Sequence, residues 1–434
     1  MLDLTEKTVT VVGAGRSGLA LVRLVRRVKG EPRLTDRRPA EDIPDRDLSA
    51  LHEQGIVTEF GGHTRDFLDG SHVLVLSPGV PFTSEIVQWA REMSVPVMGE
   101  IEFAYQFCQA PVIAVTGSNG KTTVVNLITR VLQEAGISAR LCGNVGYPFS
   151  DYCRDGRDYG YYVLELSSFQ LESLLSPGDP LVRSQAARGF RPKIGVILNF
   201  SENHLDRHAD LDEYFAAKWR LFQNQREDDY AVLNEGCARS RERAGELKAR
   251  TRFFGAGQED PQRAGNPNHA VVRLVAGILN IHPGVVNSVL QAFEGVEHRM
   301  ELVRSLHGVT YINDSKSTTA ESGRWALSQL PGPVIMICGG RDKNIEFSPL
   351  RELVRQRVKS MYVIGEASDK LRDTFAQVVP VFGCPDLRQA VNRARDEAAA
   401  GDSVLLSPMC ASFDMFANFE QRGAIYKQIV MELT

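Results

Sequence analysis

Short apolar runs, glycine-rich turns and amphipathic stretches alternate along this chain. TVTVVGAG (8–15) is a β-branched run that ends in glycine, and a helix-patterned stretch follows it to about Gly30. PVIAVTGSNG (111–120) has the same form. The stretch after it, ending near Gly136, puts Val124, Val125, Ile128, Val131, Leu132 and Ala135 on one helical face. PVIMICGG (333–340) opens a third such unit. Runs of four to eight apolar residues suit strands buried on both faces, and strands alternating with helices predict parallel sheets of the α/β class.

Three domains are expected, at 1–98, 99–298 and 299–434. SHVLVLSPGV (71–80) and VPVMGEIEF (95–103) complete the first, with the second sheet starting in the latter segment. GAGQEDPQRAGNPNH (255–269) reads as a polar loop and 270–280 as a helix. After EGVEHRM (294–300), VTYIN (309–313) begins the last series.

Composition narrows the function classes. Of 434 residues, 43% are hydrophobic and 24% charged, which excludes a largely disordered chain. The net charge of −4 supplies no overall basic field for nucleic acid or an anionic membrane surface, so neither is expected as a partner. Residues 23–38 hold seven basic side chains, read as a solvated helix face or a diphosphate-attracting patch. The seven cysteines are scattered without a CxxC pair. That speaks against a disulfide framework or zinc ribbon and suits a reducing compartment. No apolar run approaches membrane-spanning length, and the segment holding Asp3 and Glu6 has no signal-peptide pattern. A cytoplasmic location is expected.

The chemistry concentrates in a few segments. TGSNGKTT (116–123) joins an apolar strand to an amphipathic helix. Such a turn aims backbone N–H groups at an anion, and Lys121 adds charge for the β/γ-phosphates of a nucleotide. Thr122 has the hydroxyl that can hold Mg²⁺. Val115 stands where the strict phosphate-loop pattern has glycine, so this is a variant. Gly13, Gly15 and Gly18 form GxGxxG, with Asp36 beyond the next apolar run. That pattern fits a dinucleotide, any phosphate-bearing nucleotide, or a structural turn.

YYVLELSSFQLE (161–172) reads as a strand ending in Glu165, where a metal-ligating acid would sit beside a phosphate loop. IGVILNF (194–200) is another strand, with His204 just past its end. His204 and His208 have i,i+4 spacing, but the third ligand of a zinc site is not in the pattern. LDEYFAAKWRLF (211–222) is helical, and Lys218 falls on its apolar face with Leu211, Phe215 and Phe222. A lysine there either snorkels to water or is buried as a neutral, reactive amine. An NAD-dependent oxidoreductase would use GAGRSG and Asp36 but leaves TGSNGKTT without a role. A protein using nucleotide only for assembly leaves Glu165 and Lys218 surplus.

Together these segments resemble the Mur ligase family, ATP-dependent amide ligases of peptidoglycan precursor synthesis. The strings carrying the resemblance are SNGKTT, GNVG (143–146), LELSSFQLE (164–172), HLDRH (204–208), NDSKSTT (313–319), GGRDK (339–343) and SPMCASFDMFANFEQRG (407–423). The resemblance implies an N-terminal Rossmann-like domain for a UDP-sugar, a central P-loop ATPase-like α/β domain and a C-terminal Rossmann-like α/β domain for an amino acid. It implies ATP and Mg²⁺ as cofactors, and UDP-N-acetylmuramoyl-L-alanine and D-glutamate as substrates. A monomer is expected.

The residue roles below are also implied by the resemblance. Gly117, Ser118, Asn119, Gly120, Lys121, Thr122 and Thr123 would hold ATP, joined by Arg299, Asp314 and Lys316. Thr122 and Glu165 would ligate Mg²⁺, and His204 and a carbamylated Lys218 would serve a second ion. Lys121, His204 and Lys218 would be catalytic. Ser17, Asp36, Arg37, Ser77 and Asn144 would contact the UDP-sugar peptide. Thr318, Lys343, Ser412 and Phe419 would cradle D-glutamate.

Three departures stand out. His269 occupies the place of an adenine-contacting Asn. The stretch 176–192 is long. TDRR (35–38) alters the order on the uracil side.

Overall fold

The computed structural model describes residues 2–200, 210–255, 266–293, 295–330, 332–342 and 345–434. His204 and Lys343 lie outside the described residues. Three sheets organise the chain, which divides into two compact units, Met1–Phe293 and Glu294–Thr434.

The first sheet holds β1 (Thr8–Val12), β2 (Glu31–Asp36), β3 (Val57–Phe60), β4 (Val73–Leu76) and β5 (Val97–Gly99), in the order β3-β2-β1-β4-β5. Every pairing in it is parallel. The strand order reverses between β1 and β4, so the loops after those strands flank a crevice where doubly wound sheets bind ligands. Val97–Gly99 pairs with β4 and so closes the first sheet. The segment 95–103 therefore does not open the second sheet: Glu100–Tyr105 is helical, and the next strand begins at Val112.

The second sheet holds β6 (Val112–Thr116), β7 (Ala139–Gly143), β8 (Tyr161–Glu165), β9 (Ile194–Ile197), β10 (Tyr230–Asn234) and β11 (Arg250–Phe254). Its order is β11-β10-β9-β6-β8-β7, again all parallel. The apolar face foreseen after the phosphate loop is buried: Val124, Val125, Ile128, Val131 and Leu132 pack with Val271, Val272 and Val275 of the helix Pro267–Ile278. That second helix starts earlier than 270 because Asn266 caps it and Pro267 supplies its first turn. The first and second sheets share one core, in which Val11 and Val75 belong with Ala114, Leu164 and Ile197.

The second unit holds β12 (Glu301–Leu306), β13 (Val309–Asn313), β14 (Val334–Gly339), β15 (Val358–Ile364), β16 (Val381–Gly383) and β17 (Ser403–Leu406). The order is β12-β13-β17-β14-β15-β16. β12 pairs antiparallel with β13, so this sheet is mixed rather than wholly parallel. The two-residue turn His307–Gly308, both with φ near the left-handed region at 51° and 80°, makes that pair a hairpin. Among the described residues no helix is long and apolar enough to cross a membrane, and all seven cysteines are free.

Candidate active site

Within the first unit the phosphate-loop turn lies between β6 and the helix Lys121–Glu134. Gly120 caps that helix with φ +83°, and a Cβ there would meet Asn268 Oδ1 at 2.7 Å. The left-handed φ favours glycine, while the Asn268 side chain could swing away from a Cβ. Asn199, just past β9, fastens the turn from the side. It accepts from Asn119 N through its Oδ1 at 2.8 Å, donates back to Asn119 O at 3.0 Å, and accepts from Ser118 N through its carbonyl at 3.1 Å. Lys121 donates to the carbonyls of Gly117 and Ser118 at 2.8 and 2.9 Å. Thr123 is half-buried on the first helical turn.

β8 ends in Glu165 beside that turn. Its Oε2 accepts the Thr122 hydroxyl at 2.7 Å, and its Oε1 accepts Asn144 Nδ2 at 2.9 Å. Thr122 and Glu165 are both buried. Lys218 is buried as well, on the helix Leu211–Trp219. Its Nζ donates to Gly117 O at 3.1 Å and lies 4.5 Å from the Tyr214 ring centroid. Burial, with the nearby charge of Lys121, pushes its ammonium well below the ordinary lysine range. The turn thus gathers Lys121, Thr122, Glu165, Asn144 and Lys218. His204 lies outside the described residues.

At the first sheet's crevice, a Cβ at Gly18 would lie 1.7 Å from Gly13 O. Glycine there lets the helix Arg16–Arg27 approach the strand end. Ser17 is on its first turn, half-buried. Ser77 donates to Gly13 O at 3.3 Å and shares the lining of a small cavity with Phe82, Glu100, Phe169 and Gln170. Asp36 accepts Ala14 N at 2.6 Å and pairs with Arg38 Nη2 at 2.9 Å. Burial alone would raise its carboxyl, but the bonds from Arg38 and Ala14 outweigh it and hold the group below the usual range. Arg38, not Arg37, is the partner of Asp36; Arg37 is exposed.

The second unit is a separate cluster at the carboxyl ends of β13, β14 and β17. Asp314 accepts Met300 N at 3.2 Å and the Ser407 hydroxyl at 3.1 Å. Burial pushes its carboxyl up to about 7. Lys316 Nζ lies 5.7 Å from the Phe419 ring centroid, and Arg299 stacks 5.6 Å from that of Trp325. Thr318 is half-buried, while Ser412 is buried in the loop after β17.

Four residues here escaped the sequence reading. Asn199, Tyr214 and Asn268 surround the phosphate turn. Asn199 was open to the rule that singled out Glu165, a polar residue at a strand's carboxyl end. Arg422 is fully buried. Its Nε donates to Ser315 Oγ at 3.0 Å, Nη2 to Ser315 O at 2.8 Å and Nη1 to Cys410 O at 3.2 Å. It lies within SPMCASFDMFANFEQRG (407–423), but no local hydrophobic pattern there marks it as buried.

With that geometry in place, comparison with known proteins decides the family. Three family profiles match in chain order: "Mur ligase MurD-like, N-terminal domain" at 7–99, "Mur ligase middle domain" at 115–271 and "Mur ligase, glutamate ligase domain" at 298–410. The chain belongs to the Mur ligase family. It is 36% identical to the UDP-N-acetylmuramoylalanine--D-glutamate ligase of Acidobacterium capsulatum, over 99% of this chain and 97% of that one. The ligase of the same name from Salinibacter ruber is 37% identical, over 98% and 97%. The solved structure of UDP-N-acetylmuramate-alanine ligase from Thermotoga maritima aligns with a TM-score of 0.59 at 16% identity, covering 98% of this chain and 99% of that one. At that identity the Mur ligase structure establishes shared architecture alone, and the three-sheet α/β fold agrees with it.

Proposed function

We propose that this Mur ligase joins D-glutamate to UDP-N-acetylmuramoyl-L-alanine, converting ATP to ADP and phosphate, in peptidoglycan precursor synthesis. The observation that supports this most is the buried Glu165–Thr122 pair at the phosphate turn, joined from the surface by Asn144, in a protein similar over its full length to ligases of that name. Residues 1–98 take the UDP-sugar, 99–298 the ATP and 299–434 the amino acid. The enzyme acts as a monomer in the cytoplasm.

A carboxylate resists attack by an amine until its oxygen becomes a leaving group. Attack of the acceptor's terminal carboxylate on the γ-phosphate gives an acyl phosphate, which the D-glutamate amine converts to amide with release of phosphate. Gly117 to Thr123 cradle the ATP phosphates, and Lys121 neutralises them once it leaves the carbonyls it now holds. Thr122 and Glu165 offer hard oxygen donors that fit Mg²⁺. Bound there, Mg²⁺ would screen the repulsion between the two reacting anions.

Lys218 is carbamylated: its neutral Nζ adds CO₂ and releases one proton, turning a buried neutral amine into an anion. The depressed basicity of this amine supports that step. With His204, the carbamate serves a second Mg²⁺. Arg299, Asp314 and Lys316 meet the nucleotide. Ser17, Asp36, Arg37, Ser77 and Asn144 hold the acceptor, and Thr318, Lys343, Ser412 and Phe419 hold D-glutamate. Phosphate release from ATP that requires both UDP-N-acetylmuramoyl-L-alanine and D-glutamate is the expected result. Equal release with either substrate omitted, or equal use of L-glutamate, overturns the reading.

A further inference from the structure

The backbone N–H groups at the neck of the long stretch after β8 are held by one buried carboxyl group. Glu102, on the helix Glu100–Tyr105, is fully buried. Its Oε2 accepts Leu175 N at 2.9 Å and Phe190 N at 3.2 Å. Those two residues flank 176–189, so one oxygen ties both ends. Gln106, one turn on, donates to Arg188 O at 2.8 Å and accepts Arg188 N at 2.9 Å.

The carbonyl side of the same neck is held by the segment that directly follows Lys218. Arg220 donates to Leu174 O. Gln223 donates to Leu175 O at 3.0 Å. Asn224 donates to Leu175 O at 2.8 Å and to Phe190 O at 3.2 Å. Gly189 makes room for it, since a Cβ there would sit 2.5 Å from Asn224 Nδ2. The neck is therefore a rivet, with N–H groups fixed by Glu102 and C=O groups fixed by residues 220–224. The helix carrying Lys218 runs straight into that second set of holders.

We propose that Glu102 is a positioning residue for ligation: by closing the neck of 176–189 it fixes the helix Leu211–Trp219, so that Lys218 Nζ stays against Gly117 at the phosphate turn. The proposal rests on the role given to Lys218 above. Glu102→Ala leaves two buried N–H groups without an acceptor, which costs their full desolvation penalty and opens the neck. Glu102→Gln keeps an amide oxygen with two lone pairs and can hold both.

The test measures kcat, the KM of each substrate and the bicarbonate dependence of ligation in the full-length protein. Glu102→Ala should lower kcat about tenfold or more, with every KM within about threefold, because the loss falls on the reacting arrangement and not on ground-state binding. Excess bicarbonate should restore part of that kcat by driving carbamylation of a loosely held lysine, a response that simple loss of stability does not give. Glu102→Gln should keep kcat within about threefold of the parent. If Glu102→Ala does not fold, Asn224→Ala carries the test with the same expected pattern. A folded Glu102→Ala or Asn224→Ala with parental kcat, or a loss unmoved by bicarbonate, overturns the proposal. Full activity of Lys218→Ala would instead overturn the reading on which it rests.

Discussion

Thr122 donates its hydroxyl to Glu165 at 2.7 Å, tying the first turn of the phosphate-loop helix to the carboxyl end of the neighbouring strand. The contact crosses from β6 to β8, which are adjacent in the sheet. The two oxygens are thereby held together before any cation arrives, and little reorganisation is needed to bind one.

Glu165→Gln preserves the size of the side chain and an acceptor for Thr122 but removes the charge. Its kcat should fall by about 10²-fold or more, the scale for losing one preorganised electrostatic group. The Mg²⁺ concentration for half-maximal rate should rise with it. A Mg²⁺ titration that superimposes on the parent, with a rate within about tenfold (about 1.4 kcal/mol), would remove Glu165 from the metal site.

Lys218→Ala should abolish ligation. High acetate should recover part of the rate by supplying a carboxylate in the space vacated by the carbamate. Parental activity in this variant, or a crystal structure with Mg²⁺ bound beside an unmodified amine, would contradict carbamylation.

Glu102 gives a pH dependence of stability with a definite sign. Burial pushes its carboxyl up to about 8 from an ordinary 4.5. The folded chain therefore keeps a proton that the unfolded chain releases. The contribution is fully present below pH 4.5 and is lost as pH rises toward 8, by up to about 1.4 kcal/mol per pH unit for one proton. Glu102→Gln cannot ionise. Its melting temperature relative to the parent should improve steadily between pH 5 and pH 8, and a constant difference across that range would show that Glu102 is ionised throughout.

Gly18→Ala would force a Cβ to within 1.7 Å of Gly13 O. Relief requires the helix Arg16–Arg27 to move off the strand end, an overpacking cost of about 1–3 kcal/mol. Chemical denaturation should register that loss, and the KM for the UDP-sugar acceptor should rise while that for ATP holds. Unchanged values for both would mean that this turn has slack the packing does not show.

Much of this was legible from local pattern. Strand, turn and helix at 111–134 follow from a β-branched run, two glycines and a 3.6-residue apolar period, all within one window. Glu165 was placed by its position at a strand end. The place of Lys218 on the apolar helix face followed from its neighbours, but that it is buried there and does not snorkel to water is a finding of the structure. What escaped depends on partners distant in sequence. Asn199 acts on a turn about 80 residues away, and Arg422 reaches Ser315 over a separation of 107 residues. The antiparallel β12 escaped because alternation of strands and helices says nothing about the direction of an edge strand. Val97–Gly99 is too short for its periodicity to reveal which sheet it joins. The closure of 176–189 was hidden because Glu102, Gln223 and Asn224, distant in sequence, hold its neck through backbone N–H and C=O groups, which leave no signature of their own.

The common core beneath the first two sheets sets where this enzyme can be recombined. Val11 and Val75 pack in the same cluster as Ala114, Leu164 and Ile197, so a chimera joined near residue 98 would bring together two half-surfaces shaped in different proteins. A junction at the boundary between Phe293 and Glu294 leaves that cluster intact. Exchange of the second unit between Mur ligases is therefore the more tractable graft, whereas the two sheets of the first unit are inherited as one piece.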